Sequence, residues 1–274
     1  MKKAMPKTLT KFHYIYGPVY SWRLGNSLGI DPLSLSRKIC NFDCVYCQLG
    51  KTPVLIHERK IFVKTAEIVK EIMRLPKLKI DHITFSGRGE PTLAKNLGSM
   101  IQAVRKVRNE KIAVITNSSL IDRHDVQEEL SLADVVVAKL DACSQESLEA
   151  VDKTGCEISF KNILSGLKKF RKLYKGRLAI QIMVIAQNKH LVPQIAQHVH
   201  SIHPDEVQLD TPLRPSAALP ISSDEMARLK NHFRGLPIVT AYDRDIKNVI
   251  PLNLRDTVKR HGRYLTKSLK HYIL

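Results

Sequence analysis

The sequence predicts an α/β protein built from six strand–helix units. From about residue 80 onward, short apolar runs alternate with amphipathic stretches whose apolar residues recur at helical spacing. Polar or glycine-rich groups directly follow several of the apolar runs, as expected where parallel strands end at one edge of a sheet. Eight units would close a barrel of the usual kind. Six units fit either a partial, open (β/α)6 barrel or a doubly wound sheet.

Each strand is predicted from an aliphatic or β-branched run that ends at a turn residue or a polar group. The predicted strands cover residues 27–31, 82–86, 112–116, 134–141, 178–185 and 206–209. The helices are predicted from apolar residues that fall on one side, and the last is opened by a Ser222–Glu225 capping box. The predicted helices cover about 66–75, 93–108, 123–131, 159–175 and 191–202, followed by a helix that ends at Gly235.

Two regions are expected along the chain. Residues 1–235 are predicted to form the α/β domain with an aromatic entry segment, and residues 236–274 a basic C-terminal extension. Residues 241–274 carry eight lysines and arginines against three acids. This composition is typical of a segment that binds a polyanion, and equally of a capping helix with a solvated face.

The net charge points to polyanionic partners. Lysine and arginine number 44 against 26 acids, which gives a net charge of +18. RNA is the obvious partner for such a surface, because each cation near a phosphate releases a counterion. Solvated surfaces in a lysine-rich protein are the alternative. No run of 18 apolar residues is present, so no membrane partner is expected.

Three of the five cysteines lie within eight residues, in the pattern Cys40-x3-Cys44-x2-Cys47. This clustering favours metal binding in a reducing cytosol over a disulfide framework, and predicts a cytoplasmic protein. Three thiolates can hold a [4Fe–4S] cluster and leave one iron open, as chemistry at a metal requires. A zinc site completed by His57 or Cys143 is the alternative. Cys156, like Cys143, is interpreted as an ordinary thiol.

Candidate binding groups stand at successive strand ends. Gly87, Gly89 and Glu90 follow the second predicted strand, and glycines there allow close approach of the backbone to a ligand. The same element also fits a tight turn in which Pro91 opens a helix. The remaining candidates lie at the ends of, or within, strands three to five: Asn117, Ser118, Asp141 and Gln181. Their alternatives are a turn for the first pair and a satisfied core amide for the last.

The cysteine pattern, with Tyr46 just before its third cysteine, resembles the signature of the radical S-adenosylmethionine superfamily. The glycine–glutamate–proline element after the second strand is similar to a second motif of that superfamily. Residues 16–31 and 85–92 resemble a subgroup of Fe–S oxidoreductases grouped with the tRNA wyosine-base synthases. The resemblance covers roughly residues 14–235. Trp22 and Arg88 depart from the subgroup pattern, so the resemblance does not extend to the wyosine reaction itself.

The resemblance implies a partial (β/α)6 TIM-like barrel with a basic C-terminal extension. It implies that Cys40, Cys44 and Cys47 hold a [4Fe–4S] cluster and that S-adenosylmethionine binds the fourth iron. The contacts to S-adenosylmethionine would come from Tyr46, Gly87, Gly89, Glu90, Asn117, Ser118, Asp141 and Gln181.

The implied reaction is reductive cleavage of S-adenosylmethionine to a 5′-deoxyadenosyl radical, which takes hydrogen from a substrate. The expected partners are an electron donor of the flavodoxin or ferredoxin type and RNA, in particular tRNA. A small metabolite or a protein is the alternative substrate. A nucleic-acid-binding Fe–S or zinc module without catalysis is the alternative from another functional class.

Overall fold

An eight-stranded sheet runs through the protein, and its strands lie side by side in chain order. The computed structural model describes residues 12–34, 36–243 and 249–261. The first two strands pair antiparallel, and every later pair is parallel. The strands are β1 Ile15–Ser21, β2 Gly25–Ile30, β3 His82–Phe85, β4 Lys111–Thr116, β5 Val135–Lys139, β6 Arg177–Met183, β7 Glu206–Asp210 and β8 Ile238–Thr240.

The strand order shows a partial barrel, since in a doubly wound sheet the order reverses at a switch point. The six predicted strands correspond to β2–β7. Strand β1 was not predicted because Gly17-Pro18 interrupts it; proline cannot donate to a ladder, and the β1–β2 register shifts between Tyr16 and Val19. Strand β8 was not predicted because three residues are too few to show a pattern.

Helices follow most of the strands along the chain. Their bounds are α1 Thr65–Met73, α2 Leu97–Val107, α3 His124–Leu130, α4 Gln145–Asp152, α5 Phe160–Leu173, α6 Val192–Ile202, α7 Ser223–Lys230 and α8 Leu254–His261. The capping box of Ser222 and Glu225 is present at the start of α7. The predicted helix over 93–108 starts later, because Pro91–Leu93 form a separate 3-10 turn. The short helix α4 was not predicted; its capping box has Ser147 in place of the usual glutamate or glutamine.

The inner face of the sheet is apolar at one end and polar at the other. Ala113, Val135, Val137 and Ala179 form a small buried cluster that Leu24 closes. Because side chains alternate along a strand, the residues two positions further along β4–β6 lie on the same face. Those residues include Lys139 and polar groups that border a cavity, so the small apolar cluster forms the base beneath it.

An ion pair shows how strongly the sheet is curled. Nη1 of Arg23, in the turn between β1 and β2, lies 2.8 Å from Oδ2 of Asp210, the last residue of β7. In a flat sheet, the six strand spacings from β1 to β7 would separate these elements by roughly 29 Å. The two ends of the sheet therefore face each other across an interior.

The C-terminal segment returns to the first strand. The backbone N–H of Leu252 donates to the carbonyl of Gly17 at 2.6 Å, and the N–H of Gly17 donates to Oγ1 of Thr257 at 3.0 Å. Helix α8 thus lies on the edge strand opposite β8. The division of the chain at residue 235 stays a prediction. Within the described ranges, no helix has the length and hydropathy needed to cross a bilayer.

The backbone of the glycine turn after β3 supports the cysteine loop. Gly89 forms a parallel bridge with Ile39, the residue before the first motif cysteine. The N–H of Ile39 donates to the carbonyl of Arg88 at 2.9 Å, and the N–H of Glu90 donates to the carbonyl of Ile39 at 2.9 Å. A Cβ on Gly89 would overlap that Ile39 carbonyl. Glycine at 89 therefore allows two protein backbones to approach each other.

Gly89→Ala is expected to lower the free energy of unfolding by roughly 3 kcal/mol, because it adds this overlap at a residue whose φ of +153° disfavours any side chain. Gly235→Ala is the matched control, since Gly235 also has a positive φ (+90°) but no atom within 4 Å of a built Cβ. Its expected cost is about 1 kcal/mol. Guanidinium unfolding followed by circular dichroism measures the free energy of unfolding of both variants. Equal decreases would contradict the role of Gly89 in the close approach of the two backbones.

Candidate functional site

A cavity of about 260 Å³ opens where the strands end. All three motif cysteines border it, together with residues from the ends of β3–β7, the β1–β2 turn and α8. Of the eight other candidates, six line this cavity: Tyr46, Gly87, Gly89, Glu90, Asn117 and Gln181. Ser118 and Asp141 do not line it. The sequence-based expectation that strand ends converge on the cysteine loop thus matches the position of the cavity.

The cysteine loop turns through backbone hydrogen bonds, and the sulfur of Cys47 faces a cation. The loop turns through hydrogen bonds from the N–H of Cys47 to the carbonyl of Cys44 and from that of Gly50 to Cys47, both 3.0 Å. Lys38 Nζ lies 3.0 Å from Sγ of Cys47. Burial, and next the charge of Glu90, raises the pKa of the Cys40 thiol to about 12. An ionised thiolate at Cys40 therefore needs a compensating positive charge, such as a bound metal.

Glu90 joins two strand ends from beneath the cavity. Its Oε1 accepts from Oγ1 of Thr92 and from Oγ1 of Thr116, both at 2.7 Å, and its Oε2 accepts from the N–H of Asn117 at 2.6 Å. The side chain is buried, and burial raises the pKa of the carboxyl above its ordinary value. Glu90 therefore fixes the position of Asn117 relative to the glycine turn, whatever else it contacts.

Asn117 and Ser118 differ in their surroundings. Nδ2 of Asn117 lies 2.8 Å from Oδ1 of Asn41, inside the cysteine loop, and 3.8 Å from Sγ of Cys40. Ser118 is fully buried, with φ +68°. Its Oγ is buried without a hydrogen-bond partner among the described residues. Asn117 thus ties β4 to the cysteine loop, while Ser118 lies behind the cavity surface.

Tyr46 is fixed by a buried group of charges. Its hydroxyl contacts a carboxylate oxygen of Asp141 and lies 2.8 Å from Oδ1 of Asp152. Lys139 Nζ is 2.9 Å from Asp141 and 4.8 Å from the centre of the Tyr46 ring. Burial, followed by the charge of Asp141, raises the pKa of Asp152 to about 7. A protonated Asp152 can donate to the phenol oxygen while Tyr46 donates to Asp141, which satisfies all three groups.

Gln181 finds its hydrogen-bond partner on the neighbouring strand β7. Its Nε2 donates to Oδ2 of Asp210 at 2.7 Å, the same oxygen that Arg23 contacts. The amide is therefore satisfied by the protein and still borders the cavity. The contact agrees with the interpretation of Gln181 as a satisfied core amide, and its contact with a ligand stays a prediction.

Several charged residues of the site were not found from the sequence. Lys38, Lys139 and Asp210 border the cavity beside the candidates, and Arg214, Arg260 and His261 border it from C-terminal segments. A lysine or aspartate that ends an aliphatic strand, as Lys139 and Asp210 do, is a signal that could have identified two of them. No local pattern marks Arg214 or α8, because only the curl of the sheet brings them to the cysteines.

The donor set fits an iron–sulfur cluster. Three soft thiolates beside one cavity suit iron, and each thiolate of such a cluster binds a different iron. In the described part of the chain, no three histidine, cysteine or acidic side chains converge as ligands of a single ion. His57, a candidate zinc ligand, lies 3.3 Å from Glu157 instead.

Known proteins share this architecture. The family model described as the Radical SAM superfamily matches residues 36–199. A UPF0026 protein of Synechocystis sp. is 41% identical over 75% of this chain and 78% of its own length. Crystalline archaeal TYW1 superposes with a TM-score of 0.55 at 19% identity, over 77% of this chain and 72% of that one.

A structure of anSMEcpe with bound AdoMet gives a TM-score of 0.57 at 21% identity, over 79% of this chain and 64% of that chain. Such structural likeness shows the shared fold. The family match runs from the cysteine loop through β6, and it accounts for the thiols, the partial barrel and the position of the cavity together. The chain therefore belongs to the radical SAM superfamily and is a radical SAM enzyme.

Proposed function

We propose that this enzyme uses a [4Fe–4S] cluster on Cys40, Cys44 and Cys47 to modify RNA. The observation that carries the cluster assignment is the set of three thiols on one cavity, with Lys38 at 3.0 Å from the third sulfur. When bound, the cluster and S-adenosylmethionine supply a one-electron cleavage of a carbon–sulfur bond that leaves methionine and a 5′-deoxyadenosyl radical to take hydrogen from the substrate. A flavodoxin- or ferredoxin-type protein of a reducing cytoplasm would provide the electron.

The chain's own residues would bind and orient S-adenosylmethionine in this cavity. Backbone groups at Gly87 and Gly89 would contact its methionine part, and Asn117 and Gln181 would present amides to its polar groups. Tyr46 would present its ring, because its hydroxyl is already engaged by two carboxylates. Ser118 and Asp141 would act from behind the surface. The apolar base of the barrel would exclude water beneath the reacting atoms.

The charge of the protein supports RNA as the substrate. Lysine and arginine number 44 against 26 acids, so even complete pairing of the acids would leave a net charge of +18. Phosphates of RNA would pair with part of this excess. A small metabolite, a protein substrate and a non-catalytic binding module are the competing outcomes of the two tests below.

Anaerobically reconstituted protein, given dithionite and S-adenosylmethionine, is expected to form 5′-deoxyadenosine and to hold about four irons per chain. Cys44→Ala should lower product formation at least about 100-fold, because one iron loses its protein ligand. Cys143→Ala, which removes a thiol outside the motif, should leave iron content and product unchanged. Chromatography of the nucleoside product measures this. If wild-type protein with a full complement of iron forms no 5′-deoxyadenosine, the enzyme is not acting as proposed.

Binding of total tRNA should fall steeply with salt. If about six phosphates are contacted, the affinity should drop roughly 10³-fold between 50 and 200 mM salt. Filter binding gives the affinity, and added tRNA should also raise the yield of 5′-deoxyadenosine. Absence of retention at 50 mM salt would rule out RNA and leave the radical chemistry to a smaller substrate.

A further inference from the structure

The cavity has a cationic side that neither the cysteine loop nor the glycine turn provides. It consists of Arg23 from the β1–β2 turn, Arg214 from the segment after β7, and Arg260 and His261 from α8, and is called the arginine–histidine wall below. Three segments that are distant in sequence meet there. The curl of the sheet and the return of α8 to β1 bring them together.

The wall is built from fixed side chains. Arg214 reaches Oε1 of Gln48 at 2.6 Å with Nη1, and Nε2 of His261 at 2.8 Å with Nη2. A guanidinium has only donors, so Nε2 of His261 must be the acceptor and the imidazole is neutral. Burial, followed by the charges of Arg214 and Arg23, holds the pKa of His261 well below its ordinary value. The hydrogen bond from Arg214 and the lowered pKa both indicate that the imidazole of His261 is neutral.

Arg23 has a donor left over. Its Nη1 is paired with Asp210, and its guanidinium lies 4.8 Å from the centre of the Trp22 ring. Its Nε is buried without a hydrogen-bond partner among the described residues. Leaving a buried donor of a charged group without an acceptor is destabilising. An acceptor supplied by a ligand would remove that cost.

Charges around the cavity also favour an anionic ligand. Five cationic side chains border it against two carboxylates, Glu90 and Asp210. Two more carboxylates stand directly behind cations of the lining: Asp31, 3.1 Å from Arg260, and Asp141, 2.9 Å from Lys139. Lys38 faces the sulfur of Cys47 and Lys139 pairs with Asp141, so the other three of these cations are the arginines of the wall.

We propose that the arginine–histidine wall binds a phosphate group of the substrate. The guanidiniums of Arg23 and Arg214 come from different segments and suit the several oxygens of a phosphate, which accept charge-assisted hydrogen bonds. The nitrogens of Arg260 donate to Asp31, Asp256 and His13, so this residue adds positive charge to the wall. This proposal rests on the proposed function, because it names the part of the substrate held beside the cofactor. The phosphate belongs either to a free nucleotide or to the backbone of an RNA strand.

The only tryptophan of the chain reports on this wall. Trp22 is 8% exposed and contacts Arg23, so a ligand on Arg23 should change its fluorescence. Titrations of the reconstituted holoenzyme would use four probes: inorganic phosphate, 5′-AMP, the dinucleoside phosphate ApA and adenosine. Phosphate, 5′-AMP and ApA are expected to give saturable changes, and adenosine none. Tighter binding of ApA than of 5′-AMP would identify an RNA backbone, and the reverse order a free nucleotide.

Arg214→Gln should weaken phosphate binding about 10-fold or more, because a charge-assisted contact is lost. Arg105→Gln removes an exposed arginine outside the cavity and should leave the affinity unchanged. Iron content and circular dichroism show whether each variant is folded. If Arg214→Gln does not fold, Arg214→Lys is measured in its place. Partial binding by the lysine variant would then support the wall.

Equal responses to acetate and phosphate, or an unchanged affinity in folded Arg214→Gln, would overturn the proposal. So would loss of S-adenosylmethionine binding in that variant with phosphate binding intact, since the wall would then serve the cofactor. Because the titration involves no turnover, it separates this proposal from the proposed function. Phosphate binding without formation of 5′-deoxyadenosine would count against the radical reaction alone.

Discussion

The ion pair between Arg23 and Asp210 joins the beginning of the sheet to the end of its seventh strand. Without the curl that this ion pair spans, the strand ends would spread along a line, and the cysteine loop would lie far from β7. With it, the strand ends surround one cavity. The same carboxylate also accepts a hydrogen bond from Gln181. One buried acid at the end of β7 is therefore in contact with both the β1–β2 turn and β6. The side chains of the pair are 13% and 12% exposed, and their contact depends on the curl of the sheet.

Two groups of polar contacts hold the cysteine loop beside the cavity. In the first group, Glu90 and the Ile39–Gly89 bridge fix the loop against β3 and β4. Farther along the sheet, Tyr46, Lys139 and two aspartates fix the same loop against β5 and α4. The loop is thus supported from both sides by parts of the barrel.

Elements that depend on near neighbours in the chain could be predicted from local patterns in the sequence. The six strands of aliphatic residues, the cysteine spacing and the glycine turn were visible because each depends on neighbours in the chain. For Gly89 the sequence predicted a close approach of the backbone to a ligand. In the structure, the group that approaches this glycine is the backbone carbonyl of Ile39. Lys139 and Asp210 went unnoticed as charged ends of strands. Arg214 and His261 could not be found, because their contact at 2.8 Å joins segments 47 residues apart through the curvature of the sheet.

The return of α8 to β1 also orders events during synthesis. Cys47 and His261 border the same cavity but are more than 200 residues apart in the chain. At about 5–20 residues per second, the cysteine loop is made roughly 10 to 40 s before the helix that covers one side of it. In that interval the thiols are already present while the side later covered by α8 is open. Emergence of the C-terminal helix is therefore the step that completes the cavity around its metal-binding loop.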